Sequence, residues 1–195
     1  MGAMARTRWV EFSAEWLDRS QQNLVTAVRA TNPSVLRSRP APRAPSIAFH
    51  AWHMARWADK NQSAMPAWLA GRAEDEFAPE IWFQDDVVGR WGLSDVETGD
   101  FGGTGAGLDD DASAALPLPE ASELLAYVEG AFGAFLARVE AMYDDALLDL
   151  GIIDLYGDKS TIGDAIASAT SHTDRHLGMI EALRGVLGDR GTVTI

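Results

Sequence analysis

Apolar residues recur at spacings of three and four in four separate segments of this chain, and no stretch alternates strongly with the period of two that marks a half-buried strand. The clearest run covers residues 120–147, where Leu124, Leu125, Val128, Phe132, Phe135, Leu136, Val139, Met142 and Tyr143 share one face. In residues 10–30 the stripe is Ala14, Leu17, Leu24 and Val28, with Gln21 interrupting it. Residues 47–62, IAFHAWHMARWADKNQ, are apolar on most sides until Arg56, as a helix buried on more than one face must be. The fourth segment spans residues 161–187, with Ile162, Ala165, Ile166, Ala169, Ile180, Leu183 and Leu187 on its stripe. Together they predict an all-α fold in a single domain over residues 1–195.

Local signals punctuate these helices. Three prolines in residues 37–45 stop the first helix, and Ser46 is placed to cap the second. Thr161 is expected to cap the fourth, with Asp164 three residues on completing a capping box and meeting the positive end of the helix dipole; Gly188 is its stop. Residues 66–119 read as a long irregular crossover, with five glycines between positions 99 and 107, an Asp run at 109–111 read as a solvated turn, and prolines at 117 and 119. Short helical pieces are expected near Trp68 and Trp82.

Composition removes whole classes of function. A formal net charge of -13 opposes a phosphate backbone from every direction, so nucleic acid is not an expected partner. The absence of cysteine excludes disulfides, thiolate zinc sites and a thiol nucleophile carried by the protein. The start, MGAMARTRWV, lacks the apolar run of a signal peptide, Arg6 breaks the myristoylation pattern, and nothing approaches the ~18 apolar residues of a membrane span. A soluble, cytoplasmic protein is expected.

The four histidines fall in two pairs, His50 with His53 and His172 with His176. His172 and His176 are four apart and lie within the apolar arc of their helix, the spacing at which one helix presents two imidazoles to one ion. A buried histidine needs hydrogen-bond partners, and a divalent metal satisfies two adjacent rings at once. The third ligand is expected from the second helix, where periodicity leaves both His50 and His53 open. Three neutral imidazoles leave the ion doubly positive with free positions, a catalytic arrangement that suits zinc, nickel or ferrous iron. Other motifs fail. Residues 157–161, GDKST, lack the first glycine of a phosphate loop, the glycines at 102–107 do not complete a dinucleotide fingerprint, no nucleophile elbow exists, and the Asp run lacks calcium-loop spacing. All seven tryptophans lie in the first half. Trp52 and Trp57 flank His53, and the loop carrying Trp82 and Trp91 is expected to wall the metal site.

Residues 45–59, PSIAFHAWHMARWAD, resemble the second-helix signature of the DinB-like superfamily, and residues 161–188 resemble its fourth helix, H-x-x-x-H-x-G-x-I-x-x-L-R-G. Residues 91–102, WGLSDVETGDFG, are similar to a loop of some members. The resemblance implies a four-helix bundle, up-down-down-up, with the long crossover between helices two and three and one divalent metal held by His53, His172 and His176. It makes His50 a second-layer or pocket residue. Relatives include metal-dependent thiol transferases and a mycothiol-dependent maleylpyruvate isomerase with a His, Glu, His pattern; His172 stands in place of that glutamate, which argues against isomerase activity. Two readings follow: a metal-dependent transferase that uses an exogenous low-molecular-weight thiol, such as mycothiol or bacillithiol, on a small-molecule substrate, or a non-catalytic metal-binding stress-response protein that forms a homodimer. For the thiol's own polar groups the candidate contacts are Arg56, Arg175 and Arg184.

Overall fold

In the computed structural model, which describes residues 8–72 and 76–192, the chain runs α1 (Arg8–Arg29), α2 (Ile47–Leu69), α3 (Ile81–Gln84), α4 (Val87–Arg90), α5 (Asp100–Gly103), α6 (Asp110–Ala115), α7 (Ala121–Glu140), β1 (Gly151–Ile153), β2 (Lys159–Thr161) and α8 (Ile162–Val186). Arg6, the chain start and the two ends of the expected 1–195 domain lie outside the described residues. The four long helices form an up-down-down-up bundle. Ser20 reaches Thr170 and Asp174, and Arg184 reaches Ala27 and Thr31, so α1 and α8 run the same way. Arg29 pairs with Glu129, while the start of α1 meets Asp145 beyond the end of α7, so those two are antiparallel. His50 meets His176 and Trp57 meets His172, which makes α2 antiparallel to α8. Among the described residues no helix is long and apolar enough to cross a membrane.

Ser46, Thr161 and Gly188 act as the sequence predicts, although Asp164 meets the Thr161 hydroxyl and not the backbone N–H that a capping box would use. Phe49 N–H donates to Ser46 Oγ at 3.1 Å, and Asp164 N–H donates to Thr161 Oγ1 at 3.1 Å while the Thr161 hydroxyl donates back to the Asp164 carboxylate at 2.8 Å. Gly188, at φ 92°, ends α8 with Asp189 N–H donating to Arg184 O. Four expectations need correction. Helix α2 continues past Gln62 to Leu69 through Pro66, because Ala64, Met65, Ala67 and Trp68 are all buried and their packing outweighs one missing N–H. Helix α7 stops at Glu140, not Leu147; a 3₁₀ turn at Asp145–Asp149 follows, and Asp145 accepts from Trp9 and Val10 N–H, capping α1 instead. Strands β1 and β2 form a small antiparallel hairpin, Gly151 facing Thr161, that three-residue strands could not announce by periodicity. The Asp run, read as a turn, instead opens α6, where Asp109 caps by accepting from Ala112 N–H.

Candidate metal centre

Helix α2 turns His53 toward α8, where His172 and His176 stand one turn apart. Their ring centroids lie 5.2 Å (His53 to His172), 4.8 Å (His53 to His176) and 4.7 Å (His172 to His176) apart. One nitrogen from each falls within 4.8 Å of the others. A tetrahedral ion at ~2.0–2.1 Å from each nitrogen separates its ligands by roughly 3.4 Å, so modest ring rotations close the set. The residues fit a divalent metal. No carboxylate joins these three among the described residues, so the donor set is neutral.

The second ring nitrogens have partners. His53 Nδ1 donates to the Thr104 carbonyl at 2.5 Å, which fixes its proton there and leaves Nε2 unprotonated toward the cluster. His50 Nδ1 and His176 Nδ1 are 2.9 Å apart, so His50 stands behind His176 rather than in the cluster. With His176 donating from Nδ1, His50 accepts and the His176 Nε2 lone pair faces inward. Burial lowers the pKa of His50 and His172 to about 4 and of His176 to about 2, with neighbouring imidazoles adding to the effect; burial also lowers His53, against the opposing effect of its hydrogen bond to the Thr104 carbonyl. All four rings are therefore neutral at pH 7, the state in which they ligate.

The loop that supplies the Thr104 carbonyl is the glycine-rich stretch of the crossover. Arg56, wholly buried on α2, holds the same loop: Nε donates to Gly103 O at 2.9 Å and Nη2 to Gly102 O at 3.0 Å. Its other donors meet Asp59 at 3.2 Å, Tyr127 Oη at 3.1 Å and Glu80 at 2.5 Å, and its guanidinium lies 4.9 Å from the Trp82 ring. Arg56 thus staples the crossover to α2 and α7 and has no donor directed at a ligand. Arg184 ties α8 to the end of α1, far from the cluster, and only Arg175, exposed between the two α8 histidines, stays at its rim. Gly105 has φ 87°, and a Cβ there would lie 2.8 Å from the Trp52 ring and 3.0 Å from Phe49, so the loop can dock only with glycine at this position.

Trp82 and Trp91 do not wall the cluster; they pack on Tyr127 beside Arg56. The aromatic rim is Trp57, Phe101 and Tyr156, with centroids 5.1 to 5.4 Å apart, and Phe49 stacks on His53 at 5.9 Å. Phe101 adopts φ 53°, a left-handed backbone that an L side chain disfavours, where its ring reaches Trp57 and Tyr156. The sequence reading missed Thr104, Gly105, Phe101 and Tyr156; the glycine cluster at 99–107 was the available signal for the first two, and none marked Tyr156.

A model of the DinB superfamily matches residues 17–180. The crystal structure of a conserved protein from Enterococcus faecalis superposes with a TM-score of 0.74 at 19% identity, covering 94% of this chain and 99% of that one. Among curated proteins no sequence relative matches. The match to most of the chain, on a bundle with this histidine cluster, shows that the protein belongs to the DinB superfamily.

Proposed function

We propose that this protein binds one divalent metal, zinc or nickel, through His53, His172 and His176 and uses it to activate an exogenous low-molecular-weight thiol for transfer to an electrophile. The observation that carries this reading is the convergence of three neutral imidazoles, with no anionic ligand, in a chain that has no cysteine. A divalent ion there supplies Lewis acidity that favours loss of the thiol proton. The protein's own groups do the rest: the Thr104 carbonyl and His50 orient the ligating rings, the Trp57, Phe101 and Tyr156 rim limits water, and Arg175 offers a cation to an anionic group on the thiol. Burial raises the Tyr156 phenol above its usual range, so it stays protonated as a neutral donor.

Metal analysis of the purified chain should find about one ion per chain, and His172→Ala should remove most of it. Small thiols added to the cobalt-substituted protein should produce a thiolate charge-transfer band. Full metal retention in His172→Ala overturns the site, and a bound ion that gives no band with several thiols favours the non-catalytic metal-binding reading. A homodimer belongs to the same proposal. Trp9, Phe12 and Trp16 stand 57%, 53% and 41% exposed along one face of α1, and sedimentation of the wild type against Trp16→Glu tests whether they pair two copies.

A further inference from the structure

A narrow crevice opens from His172 between α2, α8 and the hairpin loop, with Met54, Trp57 and Phe135 among its apolar walls. Gln21, the residue that breaks the apolar stripe of α1, is 2% exposed and lines this crevice. Its amide forms no hydrogen bond among the described residues and keeps access to the open space beside it instead of being sealed in the core. A neutral polar group in the wall of a largely apolar crevice, free of protein partners, is available to a polar atom of a ligand. Two more neutral groups stand in the same walls: among the described residues the Trp57 indole N–H has no partner, and Asn61 donates to Trp57 O at 2.8 Å while its own carbonyl oxygen has none. The charged side chains of the lining are Asp154 and Asp164, and neither lysine nor arginine contributes to it.

We propose that this crevice seats the electrophile and selects an uncharged molecule, apolar or aromatic in body, whose amide or carbonyl end meets Gln21. Apart from the ion held by His172, the lining has two aspartates and neither lysine nor arginine, which disfavours a carboxylate in the crevice itself, so anionic acceptors are the rejected class. The assignment of this ligand as electrophile rests on the thiol-transfer reading. In the transfer, sulfur forms a bond to the electrophilic carbon, the displaced group leaves with its bonding pair, and the thiol proton passes to solvent.

The probes are benzamide and benzoate, a matched neutral and anionic pair, titrated by calorimetry into the full chain with and without its metal, so that benzoate held by the ion is told apart from benzoate held in the crevice. Benzamide should bind at least about tenfold more tightly than benzoate. Gln21→Leu should lower benzamide affinity about tenfold, as loss of one buried hydrogen bond requires, with metal content and melting temperature retained. Ala169→Phe, which narrows the crevice from α8, should abolish binding of both. Equal affinity for the two probes, no binding of either, or an unaffected Gln21→Leu overturns the proposal. Selective benzamide binding by a protein that gives no thiolate band leaves the crevice assignment standing and removes the thiol chemistry instead.

Discussion

The proton on one ring nitrogen decides whether a histidine can ligate. His53 has it fixed by the Thr104 carbonyl, whereas His176 depends on His50 to accept it. His50→Ala should therefore keep the ion but weaken its affinity about 10- to 100-fold, the usual effect of removing an orienting partner. Competition with a chromogenic chelator reads this, and an unchanged affinity would sink the orienting role. The depressed histidine pKa values also set a pH dependence for the metal-free protein. The unfolded chain takes up protons near pH 6.5, the folded one only near 4 for His50 and His172 and near 2 for His176. Stability is thus present above pH 6.5 and is lost as the pH falls toward 4. Urea unfolding at pH 7 and pH 5 should show that decline, and His176→Leu should flatten it. The pairing of histidines was legible in the sequence, but the choice between His50 and His53 was not. It depends on Thr104, 51 residues from His53, whose carbonyl meets the ring only in the folded chain.

Elements whose ends depend on their own residues were readable. Ser46 and Thr161 cap through their neighbours' N–H groups, and Gly188 stops α8 through its own backbone freedom. Elements whose ends depend on distant groups were not. Asp145 leaves α7 to cap α1, and α2 runs through Pro66 because its last turns are buried. The glycine-rich loop belongs to the second kind, since its conformation is set by what it docks on. Gly105→Ala adds a Cβ at a positive φ into contact with Trp52 and Phe49 and pushes the Thr104 carbonyl away from His53. A loss of about 1–3 kcal/mol is expected from the strained backbone alone, with weaker metal binding alongside it. Thermal melts with metal titration check both, and a variant with wild-type stability would show that the loop is not docked as described.

At the scale of the whole molecule, the long crossover is held to the bundle by a buried polar network that no sequence pattern disclosed. Arg56 and Asp59 are both fully buried, and Asp59 accepts from Ile81 N–H at 2.9 Å, Trp82 N–H at 2.8 Å and Tyr127 Oη–H at 3.0 Å. One arginine therefore joins α2, α7 and both halves of the crossover. Read alone, Arg56 resembles a contact for a ligand's charge, because a lone arginine on an apolar helix face looks unpaired until the fold brings Glu80 and the Gly102 and Gly103 carbonyls to it. Arg56→Met preserves much of the volume but leaves the Asp59 carboxylate buried without its cation, a change that typically costs about 3–5 kcal/mol. Equilibrium unfolding of the metal-free chain should show that loss, and metal affinity should fall with it as the Thr104 loop loosens. His172→Ala provides the contrast, since it should lose metal while the metal-free stability stays near wild type. If Arg56→Met instead kept its stability and lost only thiol binding, the arginine would belong to ligand recognition and the staple would be refuted.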